Sequence, residues 1–177
     1  MPKPAFFLLS FILFISVCIN SCSKGPSNNA KDAPAQKPLY TMYRTYDSLA
    51  PLFEGNSDTL YVINFWATWC APCVAEMPFF ETLYQNMLRE KVRILLISLD
   101  FEKDLQTKLI PFLKEKQLGP EVFFLADNRY DYWINQVNPG WSGAIPATIL
   151  LKNGKKQFFE ASFPSYTALE ELVKKNL

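Results

Sequence analysis

Apolar runs of strand length alternate with helical patterns along this chain and end in a hairpin. The sequence therefore predicts an α/β protein with a mixed central sheet flanked by helices. Three observations carry that expectation. Leu60 to Trp66 and Val92 to Leu99 are nearly continuous apolar runs, the pattern of strands buried on both faces. Between them Val74, Met77, Phe80, Tyr84, Met87 and Leu88 recur at helical spacing. Near the end, Asn153-Gly154 separates two apolar stretches, a strong hairpin signal because both turn positions favour positive φ.

The N-terminus comes first in chain order. Ala5 to Ile19 is apolar apart from Ser10 and Ser16, and one basic residue, Lys3, precedes it. A membrane span needs roughly 20 apolar residues, so the run is short for one and fits the core of a secretory signal. Ile19-Asn20-Ser21-Cys22 resembles the lipobox of bacterial lipoproteins, with Asn20 a departure from the usual small or apolar residue. That resemblance implies cleavage before Cys22 and a lipid on its sulfur. Cys18 follows Val17, a poorer cleavage context. An uncleaved anchor with two incidental cysteines is the alternative. Ser23 to Pro38 is rich in Ser, Asn, Ala, Lys and Pro without apolar periodicity, the composition of a tether. The expected division is a signal over 1–21, a tether over 22–39 and one folded domain over 40–177.

Within the domain, a helix is expected from Pro72 to about Glu90, between the two buried strands. Asp104 to Gln117 mixes charge and hydrophobe at helical spacing, and Pro111 must kink or break it. Glu121 to Leu125 reads as a short strand and Tyr130 to Val137 as a short helix. Ala147 to Leu151 and Gln157 to Glu160 form the hairpin arms, and an amphipathic helix over about Tyr166 to Asn176 closes the chain. Parallel strands joined by helices, followed by an antiparallel pair, give the mixed sheet.

Charge points to no polyanionic partner. The chain holds 18 basic and 17 acidic residues with no run of either sign, which disfavours nucleic-acid binding. Histidine is absent, and of four cysteines only Cys70 and Cys73 lie within the expected domain. A loop that short stabilises little by chain entropy, so the pair reads as chemistry rather than a staple.

Trp66-Ala67-Thr68-Trp69-Cys70-Ala71-Pro72-Cys73 stands where the first buried strand passes into a helix. Cys70 falls just ahead of the helix N-terminus, where unpaired N–H groups and the helix dipole favour a thiolate. Pro72 suits the first turn because it lacks an N–H. Cys70 is then the attacking thiol and Cys73, three residues on, the resolving one.

The segment resembles the active site of the thioredoxin superfamily, and more narrowly that of TlpA/ResA-type envelope thiol-disulfide oxidoreductases. The resemblance covers most of Leu60 to Leu177. It implies a thioredoxin-like fold, with the α-β-α stretch of Asp104 to Val137 as an insertion of the TlpA/ResA kind. Gly143-Ala144-Ile145-Pro146-Ala147-Thr148 matches the loop whose cis-proline faces the disulfide. Pro146 is then the cis residue, and the Ile145 backbone binds an extended substrate chain like an added strand. Pro78 matches the proline within the active-site helix. Asn64 stands where thioredoxins carry a buried aspartate, and Glu76, on the Cys73 face of the helix, matches a glutamate of the TlpA/ResA group. Glu76 is expected to move protons for Cys73, and Trp69 to shape the substrate rim around Cys70. Trp66 is expected in the core, and Trp141 in either a substrate groove or a packing role.

The resemblance implies disulfide exchange with envelope proteins, oxidised or reduced. It adds a membrane thiol-electron carrier as redox partner, attachment through the lipid at Cys22 and a periplasm-facing location. No cofactor beyond the Cys70–Cys73 disulfide is expected, and no metal. A c-type haem site needs a histidine after the second cysteine, where Val74 stands. Copper delivery through two soft thiolates is the rival from another class. A disulfide oxidase or isomerase is the other alternative. Ala71-Pro72 offers no histidine between the cysteines, so the couple is expected to be reducing. Apocytochrome c reduction and a more general reductase role are both compatible with the resemblance.

Overall fold

The computed structural model describes Met1 and residues 37–177. The expected signal, Cys18, Cys22 and most of the tether lie outside the described residues. Lys37–Leu177 is one compact unit.

Among the described residues, six strands form a single sheet. They are β1 (Thr41–Tyr43), β2 (Leu60–Trp66), β3 (Val92–Ser98), β4 (Glu121–Leu125), β5 (Ala147–Lys152) and β6 (Lys155–Phe159). Their order across the sheet is β1-β4-β3-β2-β5-β6. β1, β4, β3 and β2 run parallel to one another, while β5 runs antiparallel to both β2 and β6. The α-β-α stretch thus inserts β4 between β3 and the edge strand β1. Asn153 and Gly154 turn the β5–β6 hairpin, both at positive φ (50° and 71°).

The helices are α1 (Tyr46–Leu49), α2 (Ala71–Asn86), α3 (Ile110–Lys116), α4 (Tyr130–Val137) and α5 (Tyr166–Lys175). Because side chains alternate along a strand, each sheet face collects its own core. Val62, Trp66, Leu96, Phe124 and Leu150 meet Met77 and Phe80 of α2, Leu113 of α3, and Leu169 and Val173 of α5. Ile63, Phe65, Ile97, Leu125 and Ile149 point the other way, onto Leu49 of α1 and Trp133 and Val137 of α4. This two-sided burial is why β2 and β3 read as continuous apolar runs.

One expected element takes a different form. The Asp104–Gln117 helix is three short pieces: a 3-10 turn Glu102–Asp104, a π-helical turn Leu105–Leu109, and α3. Pro111 sits in the first turn of α3, where its missing N–H leaves no bond unmade. Of the two outcomes expected of this proline the structure shows the break: the helical stretch changes from a π turn to α3 directly ahead of it. Gln117 ends α3 in the left-handed region at φ 49°.

Candidate active site

Cys70 is the N-cap of α2, in extended conformation, and Ala71 and Pro72 begin the helix. The Cys70 and Cys73 sulfurs are joined in a disulfide. The Cys73 backbone N–H donates to Cys70 Sγ at 3.3 Å. One helix-end amide and the helix dipole therefore both favour negative charge on that sulfur. Cys70 is 5% exposed and Cys73 is fully buried, so Cys70 is the sulfur a second molecule reaches.

The Ile145–Pro146 peptide is cis, and the Ile145 carbonyl oxygen lies 3.6 Å from Cys70 Sγ. Trp141 is buried among Phe65, Trp133 and Phe158, and its Nε1–H donates to the Ala144 carbonyl at 2.8 Å. It packs beneath the loop, which decides its role in favour of packing over a groove. Ser142 is bonded to Glu160 through both its amide and its hydroxyl, which ties the other end of the loop to the end of β6.

Behind the disulfide lies a buried polar chain. Glu76 is 2% exposed, one turn beyond Cys73 on α2. The Phe163 amide donates to its Oε2 at 2.8 Å, and Asn64 Nδ2 donates to its Oε1 at 3.2 Å. Asn64 Nδ2 also donates to Thr148 Oγ1 at 3.1 Å, directly across the β2–β5 ladder. Burial pushes the Glu76 carboxyl up to about 7, against the Phe163 and Asn64 hydrogen bonds, which hold it down. A carboxyl poised there both takes and gives protons near neutral pH.

In front of the disulfide, Trp69 is half exposed and Trp66 is wholly buried. Asp100, just beyond β3 and 3% exposed, accepts from the Thr68 amide at 3.1 Å and from the Thr68 hydroxyl. It also accepts from Ser98 Oγ at 2.8 Å. The loop that carries Trp69 into Cys70 is thereby pinned to the end of β3.

The structure brings together every expected site residue of the folded domain: Cys70, Cys73, Glu76, Trp69, Ile145 and Pro146. Cys22 lies outside the described residues. Thr148, the Phe163 amide, Asp100 and Phe101 are the neighbours that sequence reasoning missed. None of the four carries a sequence signal of its own, because each acts on a segment distant along the chain. Among the described residues, no three His, Cys, Asp or Glu gather as a metal cage.

A CxxC disulfide at a helix N-terminus, with a cis-proline loop against it beside a mixed sheet, defines a thioredoxin-type protein. The chain belongs to the AhpC/TSA family, whose model matches residues 48–156. It is similar to the thiol-disulfide oxidoreductase ResA of Geobacillus kaustophilus, 33% identical over 94 residues, 52% of this chain and 49% of that one. It matches ResA of Oceanobacillus iheyensis at 51% identity over 39 residues, 22% of this chain and 20% of that one. The chain thus spans at most about half the length of these relatives. Among solved structures, a thioredoxin-related protein from Neisseria meningitidis serogroup B superposes with a TM-score of 0.55 at 24% identity. That superposition covers 68% of this chain and 86% of the other. A secreted Mycobacterium tuberculosis disulfide oxidoreductase homologous to E. coli DsbE gives 0.52 at 20% identity, covering 68% and 84%. These structural likenesses carry the fold.

Proposed function

We propose that this protein is a thiol-disulfide oxidoreductase that reduces disulfides of envelope proteins through Cys70 and Cys73, apocytochromes c among the eligible substrates. The observation that carries the reading is the Cys70 sulfur at the head of α2, with the Cys73 amide on it and Glu76 buried one turn away.

In the forward direction the Cys70 thiolate attacks a target disulfide. A mixed disulfide forms, and the first target sulfur leaves as a thiolate that takes a proton from water. The Cys73 thiol then gives its proton to the Glu76 carboxylate and attacks Cys70 Sγ. The second target sulfur leaves and is protonated in turn, and Cys70 and Cys73 close as the disulfide. Two electrons pass from the protein dithiol to the target. A membrane dithiol carrier returns two electrons and two protons to reset the pair. Pro146 and the Ile145 backbone seat the target chain as an added strand, and Trp69 borders it. No cofactor beyond the two sulfurs enters this cycle. Lipidation at Cys22 is the attachment that keeps the domain at the membrane, facing the periplasm.

The test is the reduction potential of the Cys70–Cys73 couple, from equilibration in dithiothreitol buffers with trapping of free thiols. A value near or below about −250 mV is expected of a reductase. A value above about −180 mV would reverse the assignment to an oxidase or isomerase. Tight stoichiometric Cu(I) capture by the reduced protein, without disulfide exchange, would favour metal delivery instead.

A further inference from the structure

Beside Cys70 the surface carries an aromatic pair that the folded core does not use. The Trp69 and Phe101 rings stack with centroids 6.0 Å apart and planes 17° apart. Trp69 is 50% exposed and Phe101 46% exposed. Among the described residues, this is the one stacked or edge-packed aromatic pair in which both rings are exposed. Two apolar rings held open to water forgo the burial that usually places them inside.

The pair is held in place from below. Thr68 and Asp100 are the residues immediately before Trp69 and Phe101, and the Thr68 amide and hydroxyl both bond to the Asp100 carboxylate. Ser98 fixes the same carboxylate, and the Leu99 amide donates to the Trp66 carbonyl at 2.8 Å. The two backbones that launch the rings are thus clasped just beneath them. The Lys103 ammonium lies 5.5 Å from the Phe101 ring centroid, a cation–π contact that further limits the ring.

We infer that Trp69 and Phe101 form a preorganised aromatic ledge that selects target disulfides whose cysteine is flanked by an aromatic residue, with Phe101 as the specificity-determining side chain. The inference rests on the thiol-exchange reading above and names its substrate class. The occupant follows from covalent geometry. A mixed disulfide holds the two cysteine Cα atoms about 4.4–6.8 Å apart. The next residue of the target adds about 3.8 Å, which puts its side chain within reach of Trp69, the chain neighbour of Cys70. An aromatic side chain there extends the existing stack, and its ordering cost is lowered because both rings are already fixed.

The test uses two cystine peptides identical except for the residue after the cysteine, phenylalanine in one and serine in the other. The full chain, reduced and freed of reductant, is mixed with each, and the second-order rate constants are compared as a ratio. A ratio of about ten or more in favour of phenylalanine is expected. Phe101→Ala should reduce it to about three or less, and Phe101→Tyr should keep it. The ratio is internal to each variant, so a loss of folded protein cancels from it. Equal rates for the two peptides with the unaltered chain, or a ratio indifferent to Phe101→Ala, would overturn the ledge and leave thiol exchange standing. Failure to reduce either peptide would overturn the thiol-exchange reading and the ledge together.

Discussion

Asn64 donates one amide hydrogen to Glu76 at 3.2 Å and the other to Thr148 at 3.1 Å, while its own buried carbonyl oxygen has no partner among the described residues. Both donors of the side chain are thus committed to holding Glu76 against the sheet beside β5. The contact favours a charged Glu76, because a donor stabilises the carboxylate more than the acid. Burial works the other way and wins, since the carboxyl ends up near 7. The neutral amide at position 64 does not titrate, and its hydrogen bond, together with the larger effect of the Phe163 amide, offsets part of the rise that burial gives Glu76.

Glu76→Gln is expected to slow resolution of the mixed disulfide by at least about tenfold at pH 7, within the range general acid–base groups contribute. The inflection near pH 7 should vanish with it. The measurement is the single-turnover rate of Cys73 attack on a Cys70 mixed disulfide across pH 5–9. An unchanged profile would remove Glu76 from the proton path.

The same carboxyl has a stability signature with a definite sign. Its folded value of about 7 lies above the ordinary 4.5, so the folded state holds the proton more tightly than the unfolded chain does. The stability it contributes is full below about pH 4.5 and is lost as pH rises toward and through about 7. At about 1.4 kcal/mol per pH unit the gap corresponds to roughly 3 kcal/mol. Glu76→Gln should remove this loss. Urea unfolding of the oxidised pair of proteins should therefore find the difference moving in favour of the glutamine variant between pH 4.5 and 7.

Asp127 predicts the opposite slope. Its carboxylate receives Arg129 Nη2 at 2.6 Å and Nε at 2.9 Å, the Tyr46 amide at 2.8 Å and the Arg129 amide at 3.0 Å. The Arg129 side chain beside it, with these amides, holds the carboxyl well below the usual carboxylate range, against the effect of burial. Its stabilisation is present above the ordinary value of 3.8 and is lost as pH falls through the depressed one. Asp127→Asn turns an acceptor into a donor facing donors. It should cost about 2 kcal/mol at pH 7 and flatten the acid limb of the unfolding curve. Denaturant midpoints at pH 7 and pH 3 check both statements.

Much of this architecture is legible in the sequence because burial on two faces writes itself as uninterrupted apolar runs. Leu60 to Trp66, Glu121 to Leu125 and Tyr130 to Val137 are read to the residue, and Asn153-Gly154 places the hairpin. The first strand, Thr41–Tyr43, escapes because three residues hold no periodicity and its partner, Phe123 to Leu125, lies far along the chain. In the site, the cysteines and the Ile145–Pro146 loop are legible because special backbone positions demand special residues. Asp100, Phe101 and Thr148 are not, because their roles arise only when distant segments meet. A lone acid after a strand has the same spelling whether it clasps a loop or faces water.

The loop into β4 supplies a test of packing rather than chemistry. A Cβ on Gly119 would collide with two carbons of the Tyr84 ring, coming closer than real side chains approach. The backbone has no easy retreat, because the Gly119 amide donates to Glu81 Oε2 at 2.7 Å and the Lys37 ammonium bonds to the Gly119 and Pro120 carbonyls. Gly119→Ala therefore has to displace Tyr84 or break those bonds, and either is expected to cost about 1–3 kcal/mol. Tyr84→Leu in the same chain removes the obstructing ring edge. The double variant should recover part of the loss, a coupling that denaturant unfolding of the two single variants and the pair measures directly. Strictly additive losses would mean that the hydrogen-bonded loop, not the ring, sets the requirement for glycine.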